Sequence, residues 1–443
     1  MIGVHNVDRR QILRRFAGNL GLQGGVTVIG AGMVVRIIAQ SGYFLVTARA
    51  LGPHQYGLLV TTVALVSVVA PFATMGMGGV VILWAQRCPE KWRCVWRISL
   101  RTTATVGGAL MLGILLIART ILPSGIPLLL IIAICTSELL LARFADLGAA
   151  AFQGHEHYVG AAVLPLIYTM GRFLAVAMIA ALARLDLTWL ALAYLASSLA
   201  ACVVGLGFTN AAFGKRSLEK TPIGGLLRVG GLFSVSLAAQ SVYNDIDKTM
   251  LGVLASPDAA GLYTVAYKLV DFSFTPTMAF LTAIYPRFFR AGAKGLSSGV
   301  RFARRVCSAT LALGCFGSAS LIALSYTIGP VFGSRYVTAA GMVRALSVLP
   351  LAKSLHYLAA DTLTGSDRQG SRSMCQMFVA VFNVGLNMWL IPAFGYHGAI
   401  VSSIISDCLL ACLLWAVVRF LLAGDRQYPN GNALGVESAG GAL

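Results

Sequence analysis

The stretch Asn244 to Asp271, NDIDKTMLGVLASPDAAGLYTVAYKLVD, decides how the chain folds. It carries Asp245, Asp247 and Lys248 before a short Ser-Pro-Asp turn and Lys268 and Asp271 after it, in sequence otherwise apolar enough to cross a bilayer. The segments on either side read as antiparallel membrane helices, with the turn at Ala255 to Ala260 marking one membrane surface. The five charges then lie seven to eleven residues from that turn, roughly 10 to 17 Å deep at a helical rise of about 1.5 Å per residue. That depth is near the midplane of a hydrocarbon core about 30 Å thick, where an isolated ion costs at least ~2.5 kcal/mol. Such groups face a partner or a water-filled cavity.

Working outward, hydrophobic residues make up 57% of the chain and charged residues 11%, against about 25% charged in soluble domains. The class is therefore an all-α, polytopic membrane protein, and 443 residues hold a dozen spans of about 20 residues each. Apolar runs bounded by charges and Gly/Pro turns predict twelve helices. Six run over 24–47, 57–84, 98–118, 126–150, 158–183 and 187–212. Six more run over 226–254, 261–286, 306–330, 338–363, 372–391 and 397–420. Residues 1–23, with Arg9, Arg10, Arg14 and Arg15 around Ile12, Leu13 and Phe16, read as a basic interfacial tail. Residues 215–225, containing KRSLEKTP, read as a cytoplasmic linker, and the Gly-rich stretch 424–443 as a disordered cytoplasmic tail.

The net charge of +18 would point to nucleic acid in a soluble protein. Here the sidedness of the basic residues accounts for it. Of the 34 Lys and Arg, 24 fall on the side of the chain termini, five on the opposite side and five within spans. The asymmetry predicts both termini in the cytoplasm and no nucleic-acid partner. Nine cysteines are scattered through apolar segments without a CxxC motif and read as small core residues. His155 and His157 have ligand-like spacing, but with no nearby Cys or third His they read as solvated loop residues. No metal site or cofactor motif is predicted.

The chain also repeats itself. LGPHQYGLL at Leu51 to Leu59 aligns with ASPDAAGLY at Ala255 to Tyr263, putting Pro53 on Pro257 and Gly57 on Gly261. A weaker echo sets FQGHEHYVG against LTGSDRQGS through Gly154 and Gly365; the offsets are 204 and 211. Six helices separate the matched segments, so the halves share orientation, as in parallel-repeat transporters. The predicted organisation is a six-helix lobe over 24–214 and a second, pseudo-symmetric lobe over 226–423, around a central cavity.

Three segments carry a family resemblance: VTARALGPHQYGLL at Val46 to Leu59, DIDKTMLGVLASPDAAGLYTVAYKL at Asp245 to Leu269, and LNMWLIPAFGYHGAIVSSIISD at Leu386 to Asp407. The chain resembles the polysaccharide transport branch of the multidrug/oligosaccharidyl-lipid/polysaccharide exporter superfamily. The resemblance implies movement of a lipid-linked oligosaccharide, on an undecaprenyl pyrophosphate type of carrier, from the cytoplasmic to the outer leaflet of a bacterial inner membrane. It also implies polysaccharide polymerase and glycosyltransferase partners. A membrane-embedded glycan polymerase or ligase is the rival from another class, but it calls for a sizeable outward loop, and the outward connections here are short. A drug/cation antiporter of the same superfamily is the nearer rival.

Arg36, Arg172, Lys248, Lys268 and Lys353 are the embedded bases; Glu138, Asp245, Asp247, Asp271 and Asp407 are the embedded acids. A diphosphate headgroup needs fixed cations to replace its hydration, which makes those five bases the candidate substrate-binding residues, with Arg36, Lys248 and Lys268 first. The same charges also fit internal neutralisation. Lys248 lies three residues after Asp245 and Asp271 three after Lys268, and Arg172 is at the depth of Glu138 on the preceding helix. Asp245, Asp247 and Asp271 are candidate ion-coupling groups, for protons or sodium, because a midplane carboxylate is costly to ionise. Pro71, Pro165, Pro276 and Pro350 are expected bend points, and Asn383 and Asn387 line a cavity or bond helices together.

Overall fold

The computed structural model describes residues 22–87, 91–213 and 223–427. Almost all of the expected basic tail 1–23, the KRSLEKTP linker and most of the tail from 424 lie outside them. The described elements are helical, in the order α1 (Leu22–Ala73), α2 (Met77–Arg87), α3 (Trp92–Ile121), α4 (Leu128–Thr136), α5 (Ala142–Gly154), α6 (Tyr158–Leu182), α7 (Leu187–Phe213), α8 (Ile223–Leu254), α9 (Pro257–Gly292), α10 (Leu296–Ser325), α11 (Ile328–Phe332), α12 (Val337–Ala345), α13 (Leu349–Gly365), α14 (Gln369–Phe394) and α15 (Tyr396–Gln427). A π turn, Ser137–Leu141, joins α4 to α5, and a tighter 3-10 turn, Leu346–Val348, joins α12 to α13. Each of the twelve expected spans has its counterpart in this order.

Among the described residues, eight stretches are long and apolar enough to cross a membrane, and the first, Gly32–Gln86, has 55 residues. That length allows two crossings at about 20 residues each. Of the remaining expected spans, α8 and α9 carry the charges between Asn244 and Asp271, and α12–α13 is split by its 3-10 turn. The large apolar residues left uncovered, such as Leu116, Leu182, Trp389 and Phe420, are each more than 70% exposed. In a soluble protein they would be a liability; here they are a surface for lipid.

Two breaks differ from the sequence expectation. The LGPHQYG connection is a one-residue kink, with Gly52 at φ 74° and helix resuming at Pro53. Proline cannot donate to the ladder and glycine accepts a left-handed φ at no steric cost, so the pair interrupts the helix without a loop. The second expected span, 57–84, is interrupted at Met75 and Gly76, both at positive φ, and resumes as α2. There the Pro71 carbonyl accepts from Ser234 of α8 at 3.0 Å and from the Thr74 hydroxyl at 3.5 Å, side-chain donors at the end of α1. Pro276 and Pro286 lie inside an unbroken α9, and Pro350 sits in the first turn of α13, where a missing N–H costs nothing.

The repeat is visible in backbone geometry. Glu156 and Asp367 are two of three non-glycine residues at positive φ among those described, at 60° and 57°. Each lies two residues beyond the matched glycine of its repeat. The bond His157 N–H to Phe152 O and the bond Arg368 N–H to Leu363 O, both 2.9 Å, close the two helix ends in the same 6→1 pattern. Gly154 meets the backbone of Ile82 and Gly365 that of Phe288. The weaker sequence echo is thus one helix corner built twice.

The described residues form two compact units. The first runs to Thr264 and includes Phe332–Tyr336; the second comprises the rest. In the first, α1 packs along α6 and α8, and Met77, Val81, Trp92, Trp96 and Leu147 form a core between α2, α3 and α5. In the second, α13 packs on α10 and α15, with Leu281, Phe288, Ala303 and Leu358 at its centre.

Candidate functional site

Within the first unit, the charges of α8 are held by near neighbours. Lys248 Nζ reaches Asp245 Oδ1 at 2.6 Å and the Asn244 carbonyl at 2.8 Å. Ser67 of α1 donates to Asp245 Oδ2 at 3.4 Å. Asp247, almost fully buried, accepts from the Tyr263 hydroxyl at 2.6 Å. The i, i+3 spacing set out in the sequence therefore neutralises Lys248 on its own helix face. The tyrosine that satisfies Asp247 comes from the facing helix, and helical spacing alone did not point to it.

A second group surrounds Arg172. Its Nη2 lies 3.1 Å from Glu138 Oε1 and also contacts the Tyr168 hydroxyl. Its guanidinium stacks over the Tyr194 ring at 3.5 Å and the Tyr168 ring at 4.3 Å. Tyr168 donates to Glu138 Oε1 at 2.7 Å, and Tyr43 reaches the Tyr194 hydroxyl at 3.3 Å. Arg143 donates to the Glu138 carbonyl at 3.0 Å and pairs with Asp146 at 3.1 Å. Glu138 sits in the π turn, where an extra residue changes the direction of the following side chains. The pairing of Arg172 with Glu138 agrees with the neutralisation reading. The aromatic cage around it was not legible, since its tyrosines come from α1, α6 and α7.

Arg36 is exposed, on a stretch of α1 from Met33 to Ile38 that is exposed throughout. Asp146 is within its electrostatic reach.

In the second unit, Asp271 lies 3.5 Å from Lys353 Nζ, and Lys353 is also 4.7 Å from the Tyr267 ring centroid. Asp271 therefore meets a cation from α13, which helical spacing did not point to. Lys268 is exposed. Further along α13, His356 Nε2 stands 3.2 Å from Asp407 Oδ1 of α15, and Asp361 stands 3.8 Å from Arg372 of α14. Asn383 donates to Ser402 at 3.3 Å and Ser406 at 3.0 Å, so its amide bonds α14 to α15. His356 escaped sequence reading because a lone histidine among apolar residues carries no spacing signal.

His155 and His157 are not solvated loop residues. His155 stacks on Phe213 at 4.0 Å and meets Trp92 edge-on, and His157 lies 5.8 Å from Phe213.

A helical bundle with apolar outer faces and charges paired inside its spans is a polytopic membrane protein of the transporter type. Residues 22–291 match the family described as polysaccharide biosynthesis protein, and the chain belongs to that family. A curated relative, the probable low-salt glycan biosynthesis flippase Agl15 of Haloferax volcanii, is 22% identical over 166 residues; the match spans 37% of this chain and 35%, about a third, of the relative's length. The fold is similar to an inward-facing multidrug resistance MATE family transporter of the MOP superfamily, with TM-score 0.73 and 14% identity over 89% of this chain and 99% of that one. It is also similar to the lipid II flippase MurJ in an inward closed conformation, with TM-score 0.68 and 11% identity over 88% and 87%. A MOP superfamily transporter from Pyrococcus furiosus gives TM-score 0.61 at 14% identity over 94% and 98%. At these identities the likeness is one of fold. The resemblance to the polysaccharide transport branch is upheld by family and fold together.

Proposed function

We propose that the chain is a non-enzymatic flippase that moves a polyprenyl-pyrophosphate-linked oligosaccharide from the cytoplasmic to the outer leaflet of a bacterial inner membrane by alternating access. The family match carries this reading. The exposed cations Arg36 and Lys268 are its first candidates for the diphosphate, since a cation on a membrane helix is costly unless it meets water or an anion. Lys248, Lys353 and Arg172 are more buried and lie beside carboxylates. For these three, headgroup binding requires the acid to let go.

Asp245, Asp247 and Asp271 are the proposed ion-coupling groups, for protons in the first instance and sodium in the second. Protonating Asp245 or Asp271 would release Lys248 or Lys353 toward phosphate. The proposed arrangement is two six-helix lobes, 24–214 and 226–423, with both termini in the cytoplasm and polymerase and glycosyltransferase partners acting on the same lipid carrier.

Deleting the gene and locating the lipid-linked glycan tests the reading. Build-up on the cytoplasmic leaflet is the expected result; unpolymerised units accumulating outside would instead make the chain a polymerase. The second reading, a drug/cation antiporter, is favoured by the likeness in fold to the MATE transporter. It predicts that vesicles holding the purified protein move an organic cation and leave a lipid-linked glycan where it was.

A further inference from the structure

The ion pairs within the spans differ in what they can do with a proton. Arg172–Glu138 and Arg372–Asp361 contain a guanidinium, which does not lose its proton in proteins. Lys248–Asp245 and Lys353–Asp271 contain an ammonium, a group type that ordinarily titrates far above neutrality. His356–Asp407 joins two side chains only 5% and 2% exposed, and it contains the one side-chain type whose ordinary titration falls between pH 5 and 8.

We infer that His356 and Asp407 form a proton-carrying site between α13 and α15, additional to the carboxylates of α8 and α9. The inference rests on the transporter reading for its purpose, and on the geometry for its existence.

The pair stores one proton in a neutral form. Water delivers the proton to the imidazole, giving an imidazolium beside a carboxylate with no net charge; releasing it to water leaves a neutral ring beside an anion. The anion alone is expensive in a dry, low-dielectric interior. The loaded pair therefore suits the closed packing seen here, and unloading requires α13 and α15 to part and admit water. That requirement ties the proton to a conformational step, which is what coupling means.

Other charged and aromatic groups flank the pair. On α13, Lys353 is matched by Asp271 of α9, and Asp361 by Arg372 of α14. Tyr357, next in the chain, stacks on the imidazole at 4.7 Å. From α10, Cys307 joins the apolar cluster around Leu358 and Tyr357. Although His356 Nε2 is 3.2 Å from Asp407, it has no aligned hydrogen-bond acceptor among the described residues. Beside it, Trp415 of α15 donates to the Leu355 carbonyl at 3.2 Å, a latch across the same two helices.

The test uses the full chain with labelled histidine, in bilayers of phosphatidylethanolamine and phosphatidylglycerol, and takes infrared difference spectra between about pH 5 and about pH 8. The wild type is expected to show one buried imidazole gaining a proton at the acid end. That signal should vanish in His356→Gln and in Asp407→Asn and persist in His397→Gln, which alters an exposed histidine. A difference spectrum unchanged by His356→Gln overturns the site, and that comparison stands even where Asp407→Asn does not fold. Flux of the native lipid-linked glycan then tests the purpose. A pH gradient should accelerate the wild type several-fold and leave His356→Gln unmoved; equal rates for the wild type with and without a gradient overturn coupling. The spectrum does not depend on any glycan being moved, so the flippase reading can fail while the proton site stands.

Discussion

The imidazole of His54 and the carboxylate of Asp258 meet at 2.8 Å, and the two residues hold the same place in the two copies of the repeat, 204 positions apart. Around them the contact is reciprocal. A Cβ on Gly57 would strike the Pro257 carbonyl, and a Cβ on Gly261 would strike the Pro53 carbonyl. The two repeat motifs are thus packed against each other about a local two-fold, with glycine on both sides because only glycine lets the backbones approach so closely.

Gly57→Ala and Gly261→Ala should each destabilise the protein by about 1–3 kcal/mol, as overpacking does. Their effects should fall short of additivity in the double variant, since the two positions share one contact. Thermal unfolding of the purified protein measures both. His54→Gln should cost no more than about 1 kcal/mol, because the ion pair is more than half exposed on both sides.

Arg172→Gln leaves Glu138 with Arg143 at 3.9 Å and the Tyr168 hydroxyl as its remaining partners, so the loss should be about 1–3 kcal/mol, below the full cost of an unpaired buried charge. The double variant Arg172→Gln/Glu138→Gln should recover most of that loss. Arg172→Lys keeps the charge but gives up the stacking on Tyr194 and should fall between. Expression level and unfolding temperature rank the three.

Arg36→Ala and Lys268→Ala should lower glycan flipping while shifting stability by no more than about 0.5 kcal/mol, as exposed positions usually do. Lys248→Ala should destabilise through its stranded Asp245, and Asp245→Asn should relieve it. A transport assay read beside a melting curve separates the two classes. Loss of stability in Arg36→Ala equal to that in Lys248→Ala would remove Arg36 from the substrate-binding set.

Burial, with His155 close by, holds the His157 ring below its ordinary titration range. The fold therefore favours the neutral ring, and the unfolded chain binds the proton more readily. This contribution to stability is complete above about pH 6.5 and is lost as pH falls below it toward the folded-state value. His157→Gln should flatten the acid limb of a plot of unfolding temperature against pH.

Much of the fold was legible because length and apolarity alone define a span. The repeat was legible through Pro53, Gly57, Gly154 and their mates, since turns demand particular residues. The pairs within one helix, or between helices at like depth, also followed from position: Asp245 with Lys248, and Glu138 with Arg172. What escaped depends on how helices rotate about their axes. Helices that are apolar on every side carry no moment to fix that rotation, so Lys353 beside Asp271, His356 beside Asp407 and Tyr263 beside Asp247 were out of reach. The breaks at Gly52 and Met75 were misjudged because the same residues that open a loop can also kink a helix.

The wide turn Ser137–Leu141 makes helix four sensitive to length in a way no single substitution reproduces. Five residues wound as a π turn cover about the rotation of four in an α-helix, so winding the turn as ordinary helix with all its residues kept would swing everything downstream by about 100°. Arg143, Asp146 and the corner at Gly154 would all face elsewhere, while composition and hydropathy stayed as they were. Chain length within this one turn is therefore as much a part of the protein's chemistry as the charges it aims.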